Sequence, residues 1–351
     1  KKESNSIEYF AGDTIFTVIV TEANFDQNDL KIKDNSVTIS PKWSEEINNQ
    51  CTFKLDAEGK HIVNISYTDK SGNKSVSYSG TIIIDTTDPE IRFTYGDLNK
   101  GEVKKNKDSS TRYYNGPMEV TCTITEDNFD ESNTVVKVNA KKVKDVEWTK
   151  DENGKGAYKV NIPIQADSNK SYLVEVNTTD MCSNDNSKTS DEIIIDPEKP
   201  SVSVLYDGKA ESTYRNESIT ISIDEDNYND HNTTVVLQGV DFNNSNKKDA
   251  QKDYVVNEET TGGFNKLEDG KYTKPITLEK DANYTLTVKT KDRAGNSNND
   301  EPWTFTRDTK VPTGLNISYS EPVNTDDKTN YYNNTMTVTL AATDVTSGVK
   351  E

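Results

Sequence analysis

An aspartate followed four residues later by a proline occurs at Asp85/Pro89, Asp196/Pro200 and Asp308/Pro312, spaced 111 and 112 residues apart. Self-similarity at a fixed period constrains architecture more than any local propensity, because every repeat must solve the same burial problem. A period of about 110 residues is the size of a whole small domain and far exceeds a solenoid turn. The chain therefore reads as an array of like units: residues 1–88, 89–199 and 200–311, with 312–351 a partial fourth. The first unit lacks the pattern's opening strand region and the last holds about two strands, so the chain reads as a piece of a longer protein. A swapped-strand assembly, with the last piece completing a neighbour's first unit, is the alternative.

Composition agrees with several thin cores. Only 31% of the 351 residues are apolar and 29% are charged, which suits small domains better than one deep core. The formal charge of −19 repels nucleic-acid phosphates and anionic lipid headgroups, and it suits divalent cations and basic partners. Neither nucleic-acid binding nor direct membrane insertion is expected. No stretch reaches the roughly 18 apolar residues of a membrane span. Cys51, Cys122 and Cys182 fall at non-corresponding points of the units and read as free thiols.

Within the units, apolar and polar residues alternate. Val120, Cys122 and Ile124 alternate with threonines, and Phe16/Val18/Val20, Ile219/Ile221/Ile223 and Met336/Val338/Leu340 repeat the pattern, as half-buried strands do. A second alternating strand carries Tyr172, Val174 and Val176, or Tyr284, Leu286 and Val288, later in the unit. These tyrosines follow Ala166–Asn169 and Lys280–Asn283, and His61 takes their place in the first unit. The placement matches a tyrosine corner, so His61 reads as a substituted corner residue and not as a ligand or base. Each unit then runs through a turn, Asp69–Asn73, Asp180–Asn184 or Asp292–Asn296, where glycine supplies positive φ and aspartate or asparagine caps. Trp43, Trp148 and Trp303 read as packing residues.

Short strands, a tyrosine corner, an Asp-x-Ala/Ser-Gly-Asn turn and the Asp85–Pro89 linker together resemble the bacterial immunoglobulin-like repeats of Gram-positive surface proteins. The resemblance covers nearly all the chain and implies an all-β fold of tandem immunoglobulin-like β-sandwiches in an elongated array. Three or four such units span on the order of 120 to 160 Å.

The sequence holds two histidines and no nucleophile elbow, zincin helix, phosphate loop or Cys-x-x-Cys, so no enzyme and no catalytic residues are expected. One constellation points to a metal. After the second strand of each full unit comes Glu-x-Asn-Phe/Tyr, and a sandwich places this loop, the last hairpin and the incoming linker at one pole. The first expected Ca²⁺ set is Asp85, Asp88, Glu126, Asp127, Asp130 and Asp180; the second is Asp196, Glu198, Glu225, Asp226, Asp230 and Asp292. Converging carboxylates repel, and a hard cation with six to eight oxygen ligands relieves that repulsion and stiffens the joint. The alternative is that these acids cap turns and carry solvated charge, since no Asp-x-Asp-x-Asp-Gly loop is present. No other cofactor is implied.

The resemblance implies an extracellular position on a bacterial cell surface and a stalk or adhesin role, with a host or matrix protein or glycan, such as an immunoglobulin, as partner. The fragment itself is expected to be monomeric. Rival readings are an accessory array of a glycan-degrading enzyme and a pilus-like shaft stiffened by lysine–asparagine isopeptide bonds. The polar insertion Asp241–Asn265 is the expected recognition surface.

Overall fold

The computed structural model describes residues 2–4, 7–75, 77–98, 100–105, 110–152, 156–165, 170–206, 214–215, 218–241, 254–298 and 301–344. Among these the regular structure is β-strand, apart from single 3-10 turns at Gln27–Asp29, Glu131–Asn133 and Asp230–Asn232. The segment Ala166–Asn169 and residues 242–253 of the expected recognition insertion lie outside the described residues.

The period-two pattern forms the sandwich layers. In the second unit Met118–Thr125 lies between Glu90–Tyr95 and Ala157–Ile164, and Val120, Cys122 and Ile124 are fully buried while Thr125 faces out. Each such side chain removed from water contributes roughly 1.5–3 kcal/mol. The third unit repeats the layer with Ser201–Tyr206, Ser218–Asp224 and Tyr272–Thr277. The opposing layer of the third unit holds Trp303–Arg307, Ala282–Thr290, Thr233–Val240 and Tyr254–Thr261 in that order, joined at one edge by Tyr214–Arg215 in parallel. The first unit has a six-stranded layer facing a three-stranded one made of Thr14–Ile19, Gln50–Leu55 and Lys42–Trp43.

Every described sheet draws its strands from one unit. Three separate apolar cores result, centred on Val63 and Ile82, on Cys122 and Ile193, and on Ile221 and Leu286. The last piece forms two ribbons, Thr313–Tyr319 with Val338–Thr343 and Asn324–Asp326 with Thr329–Tyr331. The chain exposes 22318 Å²; one compact globule of this mass exposes roughly 14,000 Å². The excess is that of several small domains and not of one globule.

The corner follows the sequence reading in two units and departs from it in one. The Tyr284 hydroxyl donates to the Lys280 carbonyl at 2.7 Å, and His61 Nε2 meets the Ala57 carbonyl at 2.8 Å, the same four-residue span. Tyr172 does not make this bond: its hydroxyl is buried with no partner among the described residues. The strand is broken at Leu173, but its surroundings otherwise match the other units: Lys170–Tyr172 pairs with the last strand, Glu192–Ile195, as Ala282–Tyr284 pairs with Trp303–Arg307, and Leu173 N–H bonds the Asn139 side chain as Ile62 N–H bonds Asn35. All three cysteines are buried free thiols. Trp43 and Trp148 pack against Phe25 and Phe129 with ring centroids 5.3 Å apart, and Trp303 lies against the third core.

Candidate functional site

The joints between units gather hydrogen bonds from the linker, the loop after the second strand and the last hairpin. At the first, Asp85 leaves the last strand of unit one and its N–H bonds the Phe10 carbonyl at 3.0 Å. Its Oδ1 accepts from Thr87 N–H at 3.0 Å, an Asx turn that aims the chain toward Pro89. The next unit then grips it twice. Asn128, from the Glu-x-Asn-Phe loop, donates to Asp85 Oδ2 at 2.6 Å, and Asn184, from the hairpin, donates to the Asp85 carbonyl at 2.9 Å. Asn186 and Lys188 extend the grip to the Pro89 and Ile91 carbonyls.

The second joint repeats the geometry. Asp196 N–H bonds the Tyr114 carbonyl at 2.7 Å, Asn227 donates to Asp196 Oδ2 at 2.7 Å, and Asn296 donates to the Asp196 carbonyl at 2.8 Å. Here a further strut closes the joint. Glu102 of unit two pairs with Arg293 of unit three and accepts from Asn229 at 3.0 Å, while its own N–H bonds the Arg293 carbonyl. A Cβ added to Gly295, at φ +90, meets the Lys100 carbonyl oxygen at 2.1 Å, so glycine is required there both for the turn and for the close approach.

The loop and hairpin carboxylates have local structural duties. Glu126 and Glu225 each accept from the N–H two residues on, at 2.7 Å, and Glu22 does the same at 3.0 Å. Asp69, Asp180 and Asp292 take both the N–H and the side-chain amide of the asparagine four residues on. The turn is thus the same in all three units, including the one whose sequence departs most.

The structure brings together three of each expected set of six. Asp196, Glu225 and Asp292, all buried, have carboxylate oxygens within 4.8 Å of one another. At the first joint Asp85 and Asp180 converge with the Cys182 thiol, and Glu126 hydrogen-bonds Asp85. The other six do not join. Asp88, Asp127, Glu198 and Asp226 are exposed. Asp130 instead caps the turn Glu131–Asn133 by accepting from Ser132 N–H, and Asp230 accepts from the Gly263 and Phe264 N–H groups. Asp127 and Asp226 stand at the tip of a tight turn closed by the preceding glutamate on the N–H two residues on, and Asp88 and Glu198 lie on the outer side of the linkers. Through Asp230, the described end of the Asp241–Asn265 insertion is tied to its own unit, with Phe264 edge-on to Tyr228.

Burial dominates the electrostatics. It pushes Glu225 up to about 8, against the Asn227 N–H and with added repulsion from Asp196 and Asp292. Glu126 is pushed up to about 7 in the same way, with Asp85 and Asp180 adding repulsion. Burial also raises Asp180 and Asp292. Asp69, the same turn residue at the open pole of unit one, is lowered instead, by the Asn73 side chain first. A neighbour seated on the pole therefore changes the character of this carboxylate. Chemically, each cluster can hold a proton or a hard cation. The second suits Ca²⁺ better, because Ala294 stands where Cys182 puts sulfur into the first. Ca²⁺ there requires Asn227 to turn its carbonyl oxygen inward.

The sequence reading missed the asparagines. Asn128/Asn227 and Asn184/Asn296 recur at fixed offsets in the loop and hairpin, and that recurrence is the signal that identifies them. Among the described residues no lysine is buried, so they form no buried lysine–asparagine pair of the kind an isopeptide crosslink needs.

The fold and its joints define a tandem array of immunoglobulin-like β-sandwiches. No family model matches the sequence, and no curated protein matches it. Among solved structures, the tetra-tandem repeat in the extending region of a large adhesion protein is 16% identical, covers 98% of this chain and 87% of its own, and has a TM-score of 0.36. Latent PorU from Porphyromonas gingivalis is 11% identical over 86% of this chain, with a TM-score of 0.26; the match spans 32% of PorU. BcpA, the major pilin subunit of Bacillus cereus, is 10% identical over 85% of this chain and 96% of its own, with a TM-score of 0.18. No helix among the described residues is long and apolar enough to cross a membrane.

Proposed function

We propose that this chain is a non-catalytic stalk segment of an exported bacterial surface protein, which holds a binding surface for a host or matrix protein or glycan away from the cell. The observation that carries the reading is the repeated clamp: a linker aspartate held by the loop asparagine and the hairpin asparagine of the following unit, at both joints. A linker tied at its carboxylate and its carbonyl resists bending, which suits a spacer. Two further features support it: the three most buried carboxylates among the described residues, Asp196, Asp180 and Asp292, stand at joints, and the strong net negative charge keeps an extended chain soluble.

On this reading Ca²⁺ is the natural counter-ion of the second joint, held by Asp196, Glu225 and Asp292. Small-angle scattering of the whole chain tests the spacer role. A rigid particle with a maximum dimension on the order of 120 Å or more is expected; a compact particle, or a broad distribution of bent ones, refutes it. A binding screen of the chain against mucins, immunoglobulins and glycans identifies the partner class.

A further inference from the structure

The insertion of the third unit builds an edge strand much longer than its equivalents. Tyr254–Thr261 lies at the outer end of its layer, beyond Thr233–Val240, and runs for eight residues. The corresponding edges of the first two units, Val37–Ile39 and Lys141–Lys142, have three and two residues. Folds ordinarily keep such edges short, because each presents unpaired backbone groups that template another strand. Here residues 257–261 are all exposed. Strands of the same unit precede and follow Tyr254–Thr261 in sequence, so the edge belongs to the fold of the unit itself.

Antiparallel pairing alternates which residues spend their backbone groups on the neighbouring strand. Gly262 N–H bonds the Thr233 carbonyl at 2.9 Å, and the register runs back from there with Thr261 opposite Thr234 and Glu259 opposite Val236. Val256, Glu258 and Thr260 therefore bond inward to Thr233–Val240, whereas Asn257, Glu259 and Thr261 turn both N–H and C=O outward. The side chains of these three share the sheet face of Gln238, whose amide donates to Asn257 Oδ1 at 3.2 Å, away from the buried Val235 and Leu237. Glu259 stands at the middle of the row.

Charge selects the occupant. A second copy laid antiparallel on the same edge, centred on this row, sets Glu259 directly opposite Glu259, and like charges so placed are destabilising. A basic residue at that place is favoured instead. We propose that the edge takes an extended segment of a partner protein as a sixth strand of the layer, with a lysine or arginine opposite Glu259 and β-branched residues on either side. Main-chain bonds to Asn257, Glu259 and Thr261 supply the affinity, and the Glu259 carboxylate supplies the preference for a basic side chain. The net charge of −19 steers a basic segment toward the chain. The site goes beyond the spacer reading and is independent of the joints and of Ca²⁺.

A phage-displayed library of random peptides, selected on the whole chain, supplies the test. Enriched peptides are expected to carry β-branched residues around a lysine or arginine, and their binding to slow amide exchange at Asn257, Glu259 and Thr261. Glu259→Pro removes an outward N–H and leaves the ladder to Thr233–Val240 intact, so the melting temperature is expected to hold. Binding of the enriched peptides to this variant is expected to weaken about tenfold or more. Glu259→Lys keeps the backbone donor and is expected to reverse the preference, so that selection returns aspartate or glutamate at the central position. No enriched sequence, equal binding to Glu259→Pro and the parent chain, or an unchanged basic preference in Glu259→Lys overturns the proposal. Dimers that protect the same three amides as protein concentration rises overturn it too, since the edge then belongs to a second copy.

Discussion

Asn296 donates its side-chain amide both to Asp292 Oδ2 and to the Asp196 carbonyl, each at 2.8 Å. A single NH₂ group thus completes a hairpin turn within one unit and fastens the linker from the unit before. Local turn chemistry and interdomain geometry share the same donor, so the turn that folds the hairpin also shapes the socket.

Replacing that amide exposes the dependence. Asn296→Ala leaves the buried Asp292 carboxylate and the Asp196 carbonyl each short of a donor, at a cost of about 1–3 kcal/mol. Thermal unfolding of the chain is expected to show the loss, and scattering a broader range of joint angles. Asn73→Ala removes the same turn bond at the open pole of unit one, where solvent replaces the donor, and is expected to cost less. Equal costs would show that the turn alone, and not the linker contact, sets the effect.

His61 supplies a pH dependence. Its Nδ1 lies 2.7 Å from Asp34 Oδ2 and its Nε2 lies 2.8 Å from the Ala57 carbonyl, so both nitrogens face acceptors and the doubly protonated ring satisfies both. Burial opposes the charge, but the bonds to Asp34 and Ala57 outweigh it and the pKa is raised. Because the folded value is the higher one, the stabilisation is complete below the unfolded value of about 6.5 and is lost as pH rises through the folded value. Melting temperatures of unit one measured from pH 5.5 to 9 are expected to fall across that window. His61→Tyr, which places the corner residue of unit three at this position, is expected to flatten the profile.

Ser183 holds φ +80 where the other two hairpins have Gly72 and Gly295. A left-handed backbone costs a side-chain-bearing residue on the order of 1–3 kcal/mol, partly offset by the extra freedom glycine gains in the unfolded chain. The Ser183 side chain is exposed. Ser183→Gly is therefore expected to stabilise the second unit by about 1 kcal/mol in chemical denaturation; a destabilised variant would show that the strain is compensated elsewhere.

The Ca²⁺ reading of the second joint makes its own demand. At a hundredfold excess over Kd the ion stabilises by about 2.7 kcal/mol, so millimolar Ca²⁺ is expected to raise the melting temperature over an EGTA control. Glu225→Gln keeps the acceptor for the Asn227 N–H but removes a ligand charge, and is expected to abolish the increment. An unchanged increment in the variant, or none in the parent chain, removes Ca²⁺ from the joint.

Much of the fold was legible because strand alternation and turn chemistry are local. Val120, Cys122 and Ile124 announce their burial by spacing, and Asp292 and Gly295 announce a turn by residue type. The site was legible in part. Asp85, Glu126 and Asp180 could be brought to one pole from topology alone, but Asp130 and Asp230 could not be kept out of it. Their direction depends on which N–H groups the fold places nearest, Ser132 for Asp130 and Gly263 and Phe264 for Asp230. The Tyr172 hydroxyl finds no partner among the described residues although Leu173 makes the bond to Asn139 that Ile62 makes to Asn35 beside a formed corner, so residue type and spacing alone do not make the corner.

The sequence by itself determined the strand-rich, tandem-sandwich character of the chain, because that follows from periodicity and backbone preference within a few residues. The tertiary structure decided what the repeated aspartate does. Whether Asp196 is a solvated linker residue or a buried anchor depends on Asn227, Glu225 and Asn296 closing over it from segments up to 100 residues away. Such convergence is a property of packing, in which burial alters the charge and bonding of groups that share no local sequence.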